Sequence, residues 1–533
     1  MRIFPAIGLV LLAACAPSKG TSSSVCRPPA CLPSTSTYAV EIVGIGDDTL
    51  PASEFTAVAL DSTTGNLTIN LPVPAQVTGH VLASALPVPG TVVFSRPSRI
   101  PGRADVSYQT SADANGAYSL ELPPNLDGET YTVRFRPTDT SSFVPYAASA
   151  TIARSQTLDL VLPTGVGLLT LHGALTDAVK VPVTGARVVM RDGVTQTDQS
   201  STAITDDDGK FVISVPSSAA STSGALVLRI QRGDATSGLL TVSVQLSPSQ
   251  LGNAVTQADF MQLQLPALPA ASHLTFTVMG AGSNGTMKPV AGASVQLTAA
   301  LAAFAGVGTQ SVFHEVDGQT AVDGTLVADL YSNAAQTRTY LVTVVPPADS
   351  DFQSTTQSVT VSRASGYTQP ITLGLRPIAT GRVVGPDHMP LKGALLSPSA
   401  SFVTTSTATS TAKPGSATTD SDGRFALHVD AAEYDLGLSP PARATLPRTW
   451  VPRQLVTTDL DLGDLALPDP VTFDALVRSS DQAPVAATVR LYLVPAADPT
   501  CDAATSSCTP TPLLQAEGAT GKDGKASLLL PAD

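Results

Sequence analysis

Aromatic residues are scarce in this chain, at 5% of 533 residues, and Trp450 is the lone tryptophan. Its cores must therefore be filled by Val, Leu, Ile and Ala, and the scarcity argues against a platform for stacking sugars. Charge is thin as well: 14% of residues are charged, with a formal net charge of −13. No basic patch tracks a nucleic-acid backbone, so nucleic acid is not expected as a partner. The acidity serves solubility. Because 43% of residues are hydrophobic, the low charge does not signal wholesale disorder. Six histidines occur, His80, His172, His273, His314, His388 and His428, and none falls in an HxxE or HExxH pattern. A zinc-hydrolase ligand set is thus missing. GxSxG is missing too, so no nucleophile elbow is visible, and no cofactor is expected. His80 and His172 sit in strand-like stretches, where a structural role is the ordinary one. The apolar stretch 3–14 is too short to span a bilayer as a helix.

What is abundant is proline (43) and glycine (40), about one residue in six. That composition suits many short strands and turns. Length alone suggests three to five domains, at roughly 100–200 residues each.

The first residues are MRIFPAIGLVLLAACAPSKG. Arg2 supplies a positive n-region, residues 3–14 an apolar h-region, and Leu12-Ala13-Ala14-Cys15 a small-residue run ahead of a cysteine. The alternative, an ordinary secretory cut after Ala14-Cys15-Ala16, would leave Pro17 first, a poor arrangement. Of five cysteines, setting Cys15 aside leaves two close pairs, Cys26/Cys31 and Cys501/Cys508, each able to oxidise outside the cytoplasm. The alternative for each pair is two free thiols in loops. Residues 16–36 are rich in Ser, Pro and Gly and read as a flexible tether, spanning roughly 25 Å.

Periodicity then organises the rest. DANGAYSLELP (113–123), DDDGKFVISVP (206–216), AVDGTLVADL (321–330), DSDGRFALHVD (420–430) and GKDGKASLLLP (521–531) are one pattern, with turn glycines Gly116, Gly209, Gly324, Gly423 and Gly524. Spacings of 93, 115, 99 and 101 residues are those of whole small domains. Upstream of each lies a second pattern, PVPGTVV (87–93), PVTGARVV (182–189), PVAGASVQL (289–297), PLKGALL (390–396) and PVAATVRL (484–491), and before it a first-strand pattern such as VTGHVL (77–82) or ATGRVVG (379–385). Downstream follow YTVRFRP (131–137), YLVTVVPP (340–347) or YDLGLSPP (434–441), with LVLRIQRG (226–233) divergent, and closing strands such as LDLVLP (158–163). Apolar and polar residues alternate throughout. Tyr118, Leu120 and Leu122 share a face, as do Phe425, Leu427 and Val429. Period two means half-buried strands, and six or seven of them per unit predict tandem antiparallel β-sandwiches.

Two resemblances follow from these residues. The Leu12–Cys15 run resembles the bacterial lipobox, which implies a diacylglycerol on the Cys15 thiol, cleavage before it, and membrane anchoring by several acyl chains. Ala16, where that family's retention signal would be Asp, implies the outer membrane. The ordered patterns GxV, PVxGAxV, TDxDGxF and YxVxxxP resemble carboxypeptidase regulatory-like domains, which are transthyretin-like sandwiches, over residues 75–533. That resemblance implies a fold and an accessory, stalk or binding role. The B-type repeats of Gram-positive surface proteins are similar, but YTVRFRP and YDLGLSPP lack the glutamate of their Lys–Asn cross-link.

The expected organisation is a signal peptide (1–14), lipidated cysteine and tether (15–36), a leading partial module (37–72), four sandwiches (73–166, 167–268, 269–377 and 378–468) and an incomplete fifth (469–533). Residues 38–72 resemble the trailing half of a unit, whereas the last unit ends just after its turn strand. The favoured explanation is a fragment of a longer protein. The other is that the leading half pairs elsewhere, for instance with its neighbour. Closure across four strung modules is expected to be strained.

Residues 205–216, TDDDGKFVISVP, pose the remaining chemical question. An EF-hand loop needs a bidentate Glu six positions after the glycine, and from Gly209 that position is Val215, a core-facing residue. The third copy keeps only Asp323 beside its glycine. A tight turn with positive φ is the preferred reading; Asp206, Asp208, Asp420 and Asp422 are the calcium ligands in the alternative. GATGKDGK (518–525) superficially resembles a phosphate loop, but Ala526 stands where Ser/Thr is needed, and it is the fifth turn. Trp450 and Tyr434 are either exposed contacts or, the preferred case, buried in their sandwich. The insert 401–420 is a Ser/Thr-rich loop, a polar binding loop or mere spacing. The functional expectation is a non-catalytic structural, adhesive or ligand-binding scaffold, lipid-anchored at the cell envelope, with a protein or polysaccharide ligand. The alternative is an accessory subunit, or N-terminal part, of an enzyme or transport system whose active domain lies elsewhere.

Overall fold

The computed structural model describes residues 37–45, 51–59, 66–126, 128–164, 167–176, 180–193, 197–217, 226–232, 240–246, 261–264, 273–301, 312–329, 338–347, 349–361, 370–402, 415–494 and 512–532. Among the described residues strands dominate and helix is nearly absent, as the period-two patterning predicts. In the first unit, Tyr146–Ala150, Tyr131–Pro137, Gly90–Arg96 and Val106–Ala112 form one sheet in that order. Ala117–Leu122, Ala75–Ala83 and Leu160–Val161 form the facing sheet. Val77, Val81, Val92, Phe94, Tyr118, Leu122, Val133 and Leu160 pack between them.

The glycine corners explain the repeat. Gly116, Gly209, Gly324, Gly423 and Gly524 hold φ of 71°, 72°, 75°, 73° and 75°. A Cβ on Gly209 would lie 2.3 Å from the Leu175 carbonyl oxygen, and the other four would meet Val81, Val278, Val383 and Val477 in the same way. In each unit that first-strand residue also donates its N–H to the glycine carbonyl, at 2.7–2.8 Å. Glycine therefore serves both the left-handed turn and a close backbone approach. One residue before the turn in four of the five units, a threonine hydroxyl bonds two backbone groups of the preceding Pro-Val or Pro-Leu segment: Thr205 to Val183 O and Ala186 N, Thr320 to Val290 O and Ala293 N, Thr419 to Leu391 O and Ala394 N, Thr520 to Val485 O and Ala487 N. In the first unit the position is Ala112.

The all-β, tandem-sandwich fold is as expected, with one refinement and two corrections. First, the sandwiches are not purely antiparallel. The closing strand runs parallel to the first in every unit, as in Leu160–Val161 beside Ala75–Ala83 and Leu460–Ala466 beside Ile378–Val384. Seven strands that alternate in direction leave the seventh pointing like the first. Second, the units 167–268 and 269–377 are not separate beads. Leu240–Leu246 pairs antiparallel with Val312–Gln319, joining an eight-stranded sheet, and one apolar cluster runs from Leu171 to Leu373. Two edge strands that would otherwise present unpaired backbone groups satisfy each other.

Third, the partial units at 37–72 and 469–533 are one sandwich. Thr37–Gly44 pairs antiparallel with Ala487–Leu493, and Asn66–Asn70 runs parallel to Pro470–Arg478. These are the pairings that Tyr131–Pro137 and Leu160–Val161 make in the first unit. Tyr38, Val40, Ile42 and Ile69 share a core with Phe473, Val477, Val489, Leu491, Leu528 and Leu530. The expected strain of closure loses to this burial. Each doubling of a closed loop adds only about 0.6 kcal/mol, while each large apolar side chain buried contributes about 1.5–3 kcal/mol. The chain is thus a closed circuit of five sandwiches, the fifth assembled from both ends.

Candidate functional site

The closing sandwich meets the first one through the densest set of ionic contacts among the described residues. Thr37–Gly44 and Ser53–Ala59 lie side by side, with Glu41 directly opposite Glu54. Like charges so placed repel, and Arg103 of the first sandwich resolves the conflict. Its Nη1 is 2.8 Å from Glu41 Oε1 and 3.8 Å from Glu54 Oε1. Its guanidinium lies 5.0 Å from the centre of the Tyr492 ring, and Tyr492 donates its hydroxyl to Glu41 at 2.8 Å. Burial alone would raise the Glu41 carboxyl, but the bonds from Arg103 and Tyr492 and the charges of Arg103 and Arg490 outweigh it and hold it below its ordinary range. Burial, then the neighbouring Glu41, pushes the Tyr492 phenol up to about 12, so it remains a donor.

Glu54 is fully buried and accepts from three groups of the first sandwich: Arg96 Nη1 at 3.1 Å, Ser98 Oγ at 2.6 Å and the Arg99 N–H at 2.9 Å. The Arg96 side chain is 1% exposed. Arg99 reaches the other way and grips Glu129 with two prongs, Nε at 2.8 Å and Nη2 at 2.6 Å. Those bonds, ahead of a smaller opposing effect of burial, lower Glu129 to about 2. Tyr108 donates to Ala52 O at 2.7 Å. Apart from the Arg99–Glu129 pair, which lies within the first sandwich, these contacts tie the N-terminal strands to that sandwich or bring in the C-terminal half.

Beside this network lies a cavity of about 590 Å³, lined by the closing sandwich (Ser53, Glu54, Phe55, Thr56, Asn70, Ser480, Gln482), the connector (Leu71, Pro72) and the first sandwich (Arg99, Pro124, Leu126). Its two charged residues are engaged with each other's strands and with Glu129. Neutral amides and hydroxyls remain, facing an apolar wall of Phe55, Leu71, Pro72, Pro124 and Leu126. Gln482 holds φ of 65° and donates to Asn70 Oδ1 at 3.5 Å. Such a lining can hold a neutral polar chain against apolar surface.

The residues singled out from sequence lie elsewhere. Asp206 Oδ1 accepts the N–H groups of Asp208 and Lys210, and Asp208 pairs with Lys210 at 2.9 Å. Asp420 Oδ1 accepts the N–H groups of Asp422 and Arg424. This is turn geometry, and Val215 is buried in the core. No group of three or more metal-binding side chains occurs among the described residues. Cys15, Cys26, Cys31, Cys501 and Cys508 lie outside the described residues, as do the tether and most of the 401–420 loop. Tyr434 is buried, its hydroxyl on Asp430 O at 2.6 Å. Trp450 is half-buried and donates to Leu514 O in the next sandwich at 3.3 Å, so it joins two units instead of filling one core.

The ionic network escaped the sequence reading, although a signal existed. In a chain so poor in cations, SRPSRIPGR (95–103) places Arg96, Arg99 and Arg103 within eight residues.

No family model matches the chain, and no curated protein matches it. Solved structures do. The Bacillus anthracis TIE protein is 9% identical over 71% of this chain and 68% of its own, with a TM-score of 0.18. A streptococcal ancillary pilin is 12% identical over 57% of this chain and 99% of its own, with a TM-score of 0.19. A Ca²⁺-stabilized adhesin with which an Antarctic bacterium binds ice is 12% identical over 72% and 99%, with a TM-score of 0.11. TM-scores this low mark no common arrangement, so fold and site rest on the strands of this chain alone.

Proposed function

We propose that this chain is a non-catalytic scaffold of the bacterial cell envelope, lipid-anchored at Cys15 in the outer membrane, built of carboxypeptidase regulatory-like sandwiches. Its ligand site is the cavity between the closing and first sandwiches, and the ligand is a neutral segment of an envelope protein or polysaccharide. The observation that carries this reading is the pairing of Thr37–Gly44 with Ala487–Leu493. A tether ending at residue 36 then enters the closing sandwich directly. On this reading the tether leads to the sandwich that borders the cavity, which puts the cavity at the anchored side of the molecule. Without that pairing the chain would be a linear stalk and the cavity would lose Ser480 and Gln482.

The reading is tested by fractionation and by mass spectrometry of the mature N-terminus. The native chain is expected in the membrane fraction with an acylated Cys15, and Cys15→Ala is expected to leave it. An unmodified peptide beginning at Pro17 would overturn the anchor. For the cavity, Leu126→Arg should weaken retention of cells or purified chain on envelope polysaccharide or envelope protein coats while leaving unfolding unchanged.

A further inference from the structure

The closing sandwich is made of two half-sandwiches with no short covalent link, and each has its own anchoring neighbour, although Arg103 of the first sandwich also stacks on Tyr492 of the C-terminal half. The N-terminal half is held to the first sandwich by Glu54–Arg96, Glu41–Arg103 and the Leu71-Pro72-Val73-Pro74 connector. The C-terminal half is held to the fourth by Arg448 and Trp450, both donating to Leu514 O, by Gln515 on Arg448 O, and by a matching connector, Leu467-Pro468-Asp469-Pro470. Two prolines in each connector keep it extended. One end of the molecule therefore carries an apolar half-sandwich with Tyr38, Val40, Ile42 and Ile69. The other carries its complement, with Phe473, Val489, Leu491 and Leu528.

This interface is head-to-tail: the two surfaces differ and fit each other. An interface of that kind closes a ring when the intervening units bring the ends together, and otherwise links copies into an open chain. The pairings are identical in both cases, Tyr38 with Leu493 through Gly44 with Ala487 and Asn66 with Asp474 through Asn70 with Arg478. Only the local concentration of the complementary half decides: the intervening units that bring it to the N-terminal half favour closure, and a high concentration of chains favours a second copy. We propose that the closing sandwich is an exchangeable clasp, and that its second occupant is the C-terminal half-sandwich of another copy of this chain, giving head-to-tail assemblies in equilibrium with the closed monomer.

Val43 and Thr488 face each other across the clasp and are half-buried, so they report its occupancy. In a full-length chain with its five cysteines replaced by serine, Val43→Cys together with Thr488→Cys should form a disulfide within the dilute monomer. Two chains carrying one substitution each, unfolded together and refolded, should form a covalent heterodimer, and its ratio to monomer should rise about tenfold for a tenfold rise in concentration. Light scattering on the cysteine-free chain, refolded over the same range, gives a readout that depends on neither substitution. An internal disulfide without any heterodimer, and a monomeric mass at every concentration, would overturn exchange while leaving closure intact. Absence of the internal disulfide would overturn closure and exchange together. Neither result bears on the lipid anchor.

Discussion

At the scale of single residues, the five glycine corners do more than permit a turn, and two glycines of the second sandwich separate their roles. Gly185 and Gly209 both hold positive φ, 74° and 72°. A Cβ on Gly185 meets nothing within 4 Å, whereas one on Gly209 meets the Leu175 carbonyl at 2.3 Å. Gly185→Ala is expected to cost about 1–2 kcal/mol from backbone conformation alone. Gly209→Ala should cost clearly more, because it also breaks the Leu175 N–H bond to the Gly209 carbonyl. Hydrogen exchange in Lys210–Pro216 measures both; equal losses would mean that the close approach has no energetic weight. The same corner bears on calcium. The carboxylate oxygen of Asp206 already serves two backbone N–H groups, and Lys210 neutralises Asp208. Thermal unfolding should be the same in chelator and in millimolar calcium, since an ion bound only by the native state raises stability with its concentration. A rise with calcium would reinstate Asp206, Asp208, Asp420 and Asp422 as ligands.

At the scale of strands, local chemistry and long-range pairing part company. Turn glycines, Pro-Val starts and alternating apolar runs were legible, because each is enforced within a few residues: Phe211, Ile213 and Val215 alternate and all three are buried. The partner of an edge strand was not legible. LTVSVQL (240–246) reads the same whether its neighbour belongs to its own unit or to the next, and only the register Leu240–Val316 to Val244–Val312 reveals the shared sheet. Likewise, YAVEIVG announces the trailing half of a unit without saying whose, and the acids and arginines of the candidate site converge only once that pairing is made. The shared sheet has a measurable consequence. Val244 is fully buried in the cluster common to the second and third sandwiches. Val244→Asp leaves an unpaired carboxylate there, which costs several kcal/mol, and protection from hydrogen exchange should be lost in both Leu226–Arg232 and Val312–Gln319. Val92→Asp, in the separate core of the first sandwich, should leave Val312–Gln319 protected. A loss confined to the second sandwich after Val244→Asp would show that the two units unfold independently despite their common sheet.

At the scale of the whole molecule, stability of the circuit depends on charges that cross from the N-terminal strands to the first sandwich. Glu54 and Arg96 are both buried, and such a pair is worth little against apolar replacements but is costly to break from one side, about 3–5 kcal/mol. Arg96→Met should therefore loosen the N-terminal strands severely, while Arg96→Met with Glu54→Leu should recover much of the loss in a double-mutant cycle. Acid acts on this junction through Glu41 and on the first sandwich behind it through Glu129, which holds Arg99. Glu41 and Glu129 titrate below their ordinary value of 4.5 when folded, Glu129 at about 2. A carboxyl lowered by folding contributes stability that is fully present above its unfolded value and lost as pH falls through its folded one. Closure should hold at pH 6 and weaken progressively from about pH 5 towards pH 2. Replacing both residues by glutamine removes that part of the dependence, so the fall in unfolding temperature between pH 6 and pH 3 should be smaller in Glu41→Gln/Glu129→Gln than in the native chain, although the variant starts less stable. An equal fall in both would place the acid sensitivity elsewhere.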